Sequence, residues 1–207
     1  MRIVLLTCLL ALCHFTACDS PQGDVYQRIS NPYEVAAIND QHINVVIEIP
    51  AGSNHKIEYD AEAGFVNDKN DDGSTRIIRF LPYPGNYGFI PGTYMDTARG
   101  GDGDALDVLV ISESAPTGSL IPVIPIGALL LRDRGEIDTK LIAIPADESQ
   151  QILPATDFLD FAINYDAARQ IIENWFLNYK GRDMVEIIRW EDEHYAWEEV
   201  RKWKVEE

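Results

Sequence analysis

Apolar residues alternate with other residues between positions 43 and 50. The apolar positions are Ile43, Val45, Ile47 and Ile49. Successive side chains of a β-strand point to opposite faces, so this spacing of two predicts a strand with one face toward a core. Glu48 then points to the other face, beside Asn44 and Val46.

Other short segments are rich in β-branched and aromatic residues and are separated by clusters of Gly, Pro, Asp and Asn that mark turns. The strands predicted in this way are Lys56–Tyr59, Ile77–Leu81, Leu106–Ile111, Ile121–Leu131, Lys140–Ile144 and Val185–Trp190. Their spacing is irregular and no helices alternate with them. A βαβ parallel sheet is therefore disfavoured.

Helical periodicity is confined to the C-terminal part of the chain. One apolar stripe at helical spacing consists of Ala168, Ile171, Ile172, Trp175, Phe176 and Tyr179, and Gly181 is a plausible stop. A second helix is expected from Glu191 to Lys204, with Ala196, Val200 and Trp203 on one stripe. Many strands followed by two helices predict a mainly β, α+β fold, in which two C-terminal helices pack outside a compact β-barrel with additional strands.

The first residues have the pattern of an export signal. Arg2 precedes the apolar run Ile3–Leu12, which is too short to span a bilayer and matches the core of a signal peptide. An Ala-Cys pair follows, as at the cleavage point of a bacterial lipoprotein, where Cys18 would become the lipidated N-terminus. We expect a signal peptide at residues 1–17 and an exported protein anchored on the periplasmic side of a bacterial cell envelope. The alternative is a secretion signal without lipid, which would leave a soluble periplasmic protein.

The cysteines and the chain after them define the remaining organisation. All three cysteines lie at or before Cys18, which excludes disulfides, zinc thiolate sites and cysteine nucleophiles from the body. Residues 18–35 are polar and aperiodic, and we predict that they form a tether. Residues 36–207 are long enough for one domain with its own core.

The charge balance restricts the partners. The chain has 34 acidic and 17 basic residues and a formal net charge of −17 at pH 7. Such a protein repels nucleic acid and anionic membranes, so we expect no nucleic-acid partner and membrane contact only through a lipid on Cys18. The surplus acid is better explained by solvation and cation binding.

The strongest candidate for cation binding is the run 100–107, which contains Asp102, Asp104 and Asp107. Three carboxylates this close repel one another unless a cation lies between them. Oxygen ligands without nearby His or Cys favour Mg²⁺, Mn²⁺ or Ca²⁺ over zinc. The glycines allow a turn that places Asp102 and Asp107 on one ion and leaves Asp104 free. A solvated turn is the alternative.

Further polar groups recur at strand spacing. A hairpin near Gly135 would bring Asp133 and Asp138 together, and Lys140 faces the same side as Asp138. Lys56 and Glu58 likewise share a face, although ordinary surface ion pairs would explain each set. Phenols and a further cation are offered by Tyr87, in a Pro- and Gly-rich loop, and by Tyr179 and Lys180.

Taken together, the motifs resemble the family I inorganic pyrophosphatases from about Val45 to Trp190. The landmarks occur in the order Val45–Pro50, Lys56–Glu58, Pro84–Gly88, Asp102–Leu109, Asp133, Asp138–Lys140 and Tyr179–Lys180. The resemblance implies a five-stranded OB-like closed barrel, hydrolysis of pyrophosphate to two orthophosphates, and assembly into a homo-oligomer.

The resemblance also implies a cofactor and its ligands. Several Mg²⁺ ions per site are expected, with Mn²⁺ as a possible substitute. Asp102, Asp107 and Asp138 correspond to the ligands of the activating ions, and Asp133 completes the site for metal that enters with the substrate. The outer acidic residues that hold water at the metals are Glu48 and Glu58.

The remaining roles follow in the same way. Asp104 resembles the carboxylate that takes a proton from the nucleophilic water. The groups expected to bind phosphate are Lys56, Tyr87, Lys140, Tyr179 and Lys180. An arginine belongs with them, and Arg76 and Arg79 are the candidates. Their spacing of three places them on opposite faces of a strand, so at most one faces the site, and Arg76 is favoured. Two other functions stay open: a metal- or anion-binding OB-like module without turnover, and a hydrolase of a larger phosphoanhydride.

Overall fold

The computed structural model describes residues 26–133 and 135–205. The predicted signal peptide, Cys18 and the first part of the tether lie outside these residues. Ten strands are present in the described part: β1 (Gln27–Arg28), β2 (Ile38–Asn39), β3 (His42–Ile49), β4 (Ile57–Asp60), β5 (Gly64–Asn67), β6 (Asn86–Phe89), β7 (Asp107–Val110), β8 (Ser119–Asp133), β9 (Glu136–Pro145) and β10 (Val185–Glu191). The helices are α1 (Phe158–Asn164), α2 (Asp166–Asn178) and α3 (Glu193–Trp203).

Five strands form a partly closed ring. Their order is β3, β6, β7, β9 and β8, and β8 pairs again with β3. All of these pairings are antiparallel except the parallel pair of β7 and β9. The predicted mainly β fold around a five-stranded barrel is therefore confirmed.

The helices pack outside the ring on two apolar clusters. One cluster includes Val200 and Trp203 of α3, and the other includes Ile172, Trp175 and Phe176 of α2. The two predicted helices are thus confirmed. The sequence did not predict α1, which has seven residues and is too short to show a clear period. Its first turn is capped by Asp157, whose carboxylate accepts a hydrogen bond from the Asp160 amide at 2.7 Å.

Two strand predictions need correction. Ile77–Leu81 is not a strand: it makes a single bridge, between Ile77 and His55, and its side chains at 77, 80 and 81 are exposed, so no sheet face holds them. Conversely, the Pro- and Gly-rich loop contains the central strand β6. A glycine is needed there, because a Cβ on Gly88 would lie 1.9 Å from the carbonyl oxygen of Val46 on β3.

The folded body begins earlier than residue 36. β1 pairs with β8, and the Ile29 amide donates to the Gly118 carbonyl at 2.9 Å. A 3-10 turn at Pro32–Glu34 follows and buries Pro32. Residues 26–35, which we assigned to the tether, therefore contact the barrel. Among the described helices, none combines the length and the apolar character that crossing a bilayer requires.

Candidate active site

Strand register brings four of the predicted residues to one face of the barrel. The parallel pairing of β7 and β9 sets Asp107 beside Lys140. Asp138 precedes Lys140 by two residues on β9 and so shares its face. In the β8–β9 hairpin Asp138 is paired with Leu131, and Asp133 lies two residues further along the same face.

Lys140 lies between two carboxylates. Its ammonium forms an ion pair with Asp107, and its Nζ lies 2.6 Å from Asp138 Oδ1, while its side chain is only 5% exposed. Burial alone would lower the pKa of Lys140, but the two carboxylates raise it well above its usual value. Lys140 therefore stays charged at every pH at which the protein is folded and Asp107 and Asp138 are ionised.

The two carboxylates respond differently to this shared cation. Burial would raise the pKa of Asp107, but Lys140 and Lys56 together hold it below its usual value. The pKa of Asp138 is raised, because burial and the negative charges of Asp107 and Asp102 outweigh Lys140. The two carboxylates thus differ in proton affinity although they share Lys140 as a neighbour.

Tyr87 and Tyr179 each lie close to a lysine ammonium. The Tyr87 ring lies 5.5 Å from Lys56 Nζ and 5.7 Å from Lys140 Nζ, measured to the ring centroid. Tyr179 stacks on Trp175 at 4.7 Å. Burial raises the pKa of both tyrosines, so each keeps its hydroxyl proton and can donate it to an anion.

A second acidic group lies on β3 and β4. Glu48 is buried, and its Oε1 accepts a hydrogen bond from the Tyr59 amide at 2.8 Å. Burial raises the pKa of Glu48 to about 7. Lys56 Nζ lies 3.2 Å from Glu58 Oε1. These groups share a cavity of about 430 Å³ with Asp104 and Asp107.

In the acidic loop, residues 90–106 between β6 and β7, Asp102 and Asp104 have different surroundings, and the sharing of one ion by Asp102 and Asp107 stays a prediction. Asp102 Oδ1 accepts a hydrogen bond from the Asp104 amide at 3.0 Å, and the charge of Asp102 acts on Asp138. Asp104 instead lines the cavity beside Asp107. Burial, then the charges of Asp102 and Asp107, raise the pKa of Asp104. Asp104 is therefore a stronger proton acceptor than an isolated aspartate.

Phosphate-binding candidates line a second cleft, of about 680 Å³. Lys180 forms an ion pair with Asp133 there, and Arg76 Nη1 lies 2.8 Å from Asp68 Oδ2. Arg76 lines this cleft with Lys180, whereas Arg79 is exposed and lines neither cavity. The geometry favours Arg76, although the predicted strand that was to place the two arginines on opposite faces is not formed.

The residues fit a hard divalent cation. Within residues 26–133 and 135–205, no three His, Cys, Asp or Glu side chains are arranged to hold a metal as they stand, and Lys140 lies between Asp107 and Asp138. Yet Asp133 Oδ1 and Asp138 Oδ1 are buried without a hydrogen-bond partner. Lys140 Nζ nevertheless lies 2.6 Å from Asp138 Oδ1, so Asp138 is paired with a cation and Asp133 Oδ1 is the oxygen that lacks a partner. Buried carboxylate oxygens without a donor are suitable Mg²⁺ ligands.

Sequence reasoning missed two parts of the site. Tyr83 is 3% exposed, and its ring lies 5.3 Å from that of Tyr87 and 4.5 Å from Trp175. Its place in the aromatic loop was the available signal. Pro32 and Tyr33 form a wall of the smaller cavity, and no periodicity could have revealed this because they precede the first predicted strand.

Most of the chain is similar to one family of known proteins. The profile of the inorganic pyrophosphatase family matches residues 45–206. An inorganic pyrophosphatase of Aquifex pyrophilus is 39% identical over 173 residues, which cover 78% of this chain and 87% of that protein. One from Sulfolobus acidocaldarius is 40% identical over 140 residues, covering 67% and 73%.

Solved structures agree with this match. The type I inorganic pyrophosphatase of Toxoplasma gondii superposes with a TM-score of 0.75 at 27% identity, covering 84% of this chain and 85% of its own. For the inorganic pyrophosphatase of Thermus thermophilus the TM-score is 0.66 at 31% identity, covering 83% and 95%. The OB-like fold, the metal-dependent class of enzyme and the hydrolysis of pyrophosphate are thereby confirmed, and the two alternative functions are not favoured. The chain belongs to the family I inorganic pyrophosphatases.

Proposed function

We propose that this enzyme hydrolyses pyrophosphate by direct attack of a water molecule at a Mg²⁺ site formed by Asp102, Asp107, Asp133 and Asp138. The observation behind the proposal is the gathering of carboxylates on this face, where Asp133 Oδ1 is buried without a hydrogen-bond partner and Lys140 lies between Asp107 and Asp138. When bound, Mg²⁺ supplies a water of lowered pKa and positive charge for the polyanionic substrate. Mn²⁺ satisfies the same oxygen donors.

Asp104 is the group placed to accept the proton of the attacking water. It lies in the cavity beside Asp107, and its pKa is raised, which strengthens it as a base. It is also more exposed than Asp107, so water reaches it. Glu48 and Glu58 line the same cavity and hold further water molecules.

The cationic and phenolic groups bind the two phosphates. Lys56, Lys140, Lys180 and Arg76 supply positive charge that offsets the charge developing on the leaving phosphate. Tyr87 and Tyr179 keep their protons and donate hydrogen bonds to phosphate oxygens. No covalent intermediate is required, because water is the nucleophile.

A pair of isosteric variants tests whether Asp102 and Asp104 have the separate roles of metal ligand and base. Asp104→Asn removes the base, so turnover should fall by at least about 100-fold and stay low at every Mg²⁺ concentration. Asp102→Asn removes a metal ligand, so the Mg²⁺ concentration needed for half-maximal activity should rise. Its turnover should recover at high Mg²⁺. Steady-state phosphate release across a Mg²⁺ titration measures both. Unchanged turnover of Asp104→Asn, or its recovery at high Mg²⁺, would remove the role proposed for Asp104.

Export and lipid attachment are also proposed. The support is the apolar run Ile3–Leu12 followed by Cys18. The eight residue steps from Cys18 to Tyr26 reach at most about 29 Å, so a lipid on Cys18 would hold the enzyme close to the membrane. Membrane fractionation and the mass of the mature N-terminus test this. Cys18→Ser should release the protein to the soluble fraction, and a membrane-bound Cys18→Ser variant would contradict lipid anchoring.

Assembly into a homo-oligomer is the last part of the proposal. Its support is apolar side chains exposed on the outer helices: Leu159 and Ile163 are each 67% exposed and share one face of α1, and Ile171 of α2 is 62% exposed. Sedimentation equilibrium should give more than one subunit, and Leu159→Glu should lower the assembly state. A monomer at micromolar concentration would rule the assembly out.

A further inference from the structure

The acidic loop is fastened to the end of the C-terminal helix. The Tyr94 amide donates to the Trp203 carbonyl at 2.9 Å, and the Val205 amide donates to the Gly92 carbonyl at 2.9 Å. These bonds hold the start of the loop, residues 91–95. Asp102 and Asp104 lie further along and depend on contacts within the loop.

The loop folds back on its own start. The Met95 amide donates to the Asp104 carbonyl at 2.7 Å, and the Gly103 amide donates to the Met95 carbonyl at 2.8 Å. Gly101 packs against the same carbonyl, since a Cβ there would lie 2.3 Å from it. Asp102 and Asp104 are thus located relative to Met95, which is itself buried against the barrel.

Arg99 provides the outer attachment. Its guanidinium lies 4.8 Å from the centroid of the Trp203 ring, and its Nη2 donates to the Lys202 carbonyl at 3.2 Å. Arg99 sits between Asp96, which caps the 3-10 turn at residues 97–99, and the acidic run. Cation–π contact and hydrogen bond together connect the acidic loop to α3.

The Trp203 ring, which Arg99 contacts, is itself fixed by burial and a hydrogen bond. Trp203 is 3% exposed, and its Nε1 donates to the buried Glu199 carboxylate at 2.7 Å. Lys202 lies over the same ring at 4.4 Å, and its ion pair is with Glu199 of α3 itself. The ring therefore has two cationic neighbours, and only Arg99 belongs to the loop that carries Asp102 and Asp104.

We propose that Arg99 and Trp203 are positioning residues, which set the placement of Asp102 and Asp104 and thereby the affinity of the site for its divalent cation. The proposal rests on the proposed metal site. It assigns a role to a residue outside the predicted set. Arg99 is exposed, so its removal should not unfold the barrel, and its effect on the loop can be measured separately.

Arg99→Ala and its matched control Lys202→Ala test the proposal. Each removes one cation from the Trp203 ring, but the Lys202 backbone carbonyl is retained. Arg99→Ala should weaken Mg²⁺ binding, measured by calorimetry without substrate, by about threefold to tenfold, which is part of the combined contribution of one exposed cation–π contact and one hydrogen bond. Lys202→Ala should leave Mg²⁺ affinity unchanged, and Arg99→Lys, which keeps a cation over the ring, should fall between.

Hydrogen exchange separates positioning from general destabilisation. In Arg99→Ala the amides of Gly101 and Gly103 should lose protection while the barrel amides and the thermal midpoint stay near those of the wild type. Unchanged Mg²⁺ binding in Arg99→Ala, or equal losses in Arg99→Ala and Lys202→Ala, would overturn the proposal. Because these readouts need no turnover, they can fail or succeed whether or not the enzyme hydrolyses pyrophosphate.

Discussion

The active site combines two kinds of carboxylate. Asp107 and Asp138 sit on ring strands, where backbone pairing with neighbouring strands fixes them beside Lys140. Asp102 and Asp104 sit on a loop, where a few hydrogen bonds to Met95 and the contact of Arg99 with α3 fix them. The strand residues cannot be displaced without opening the barrel. The loop residues can be, so the stability of the barrel and the affinity for Mg²⁺ should be separable by mutation.

Substitutions on the ring strands should act mainly by lowering the stability of the protein. Lys140 is buried between Asp107 and Asp138, and Lys140→Met would leave two close carboxylates without their cation. Without metal, we expect the free energy of unfolding to fall by about 4 kcal/mol. Arg132→Met on the same hairpin removes only an exposed ion pair with Glu186 and should cost less than about 1 kcal/mol.

Urea denaturation in EDTA and in Mg²⁺ measures this difference. Added Mg²⁺ should return part of the stability of Lys140→Met, because a cation again lies among the carboxylates. Equal stability of the two variants in EDTA would show that Lys140 does not neutralise the cluster.

Two glycines compare strand and loop directly. Gly88→Ala places a Cβ 1.9 Å from the Val46 carbonyl oxygen inside the ring, so at least about 3 kcal/mol of stability should be lost. Gly101→Ala places a Cβ 2.3 Å from the Met95 carbonyl oxygen in the loop, and should lower Mg²⁺ affinity while costing less stability. Thermal unfolding and calorimetric Mg²⁺ titration check both. If Gly101→Ala destabilised the protein as much as Gly88→Ala, the loop and barrel would be one unit.

The pH dependence of stability tests the burial of Glu48. Its pKa in the folded protein is about 7, above the ordinary value of 4.5, so the unfolded chain binds fewer protons between these values. The stabilising contribution is complete below pH 4.5 and is lost as the pH rises from about 4.5 through about 7, a decline of up to about 3 kcal/mol. Glu48→Gln keeps the acceptor for the Tyr59 amide and removes the proton.

Urea midpoints in EDTA between pH 4.5 and 8 provide the measurement. Relative to Glu48→Gln, the wild type should become less stable across this window and then level off. A constant difference would mean that Glu48 ionises as an ordinary surface carboxylate.

The sequence predicted what depends on spacing along one strand. The spacing of two predicted that Lys56 shares a strand face with Glu58 and that Asp138 shares one with Lys140. The glycines of the run 100–107 allowed a turn in which Asp104 lies apart from Asp102. These relations follow from local geometry, so one chain segment is enough to establish them. The mainly β fold and both longer helices followed from the same periodicity.

Contacts between segments that lie far apart in the chain could not be predicted from the sequence. The parallel pairing that sets Asp107 beside Lys140 joins strands with no local signal for each other. β6 lies in a stretch whose prolines and glycines resemble a loop, and its position depends on the close approach of Gly88 to β3. No local pattern indicated a role for Arg99, because its partner Trp203 is over a hundred residues away in the chain.

We infer that the site formed by Asp102, Asp107, Asp133 and Asp138 needs a divalent cation to act on pyrophosphate. The most direct test is phosphate release from pyrophosphate by the purified wild-type protein, measured in Mg²⁺ and in EDTA. We expect steady turnover in Mg²⁺ and none above the protein-free blank in EDTA, with activity restored when Mg²⁺ is added back. Equal phosphate release in both, or none in Mg²⁺, would contradict the account.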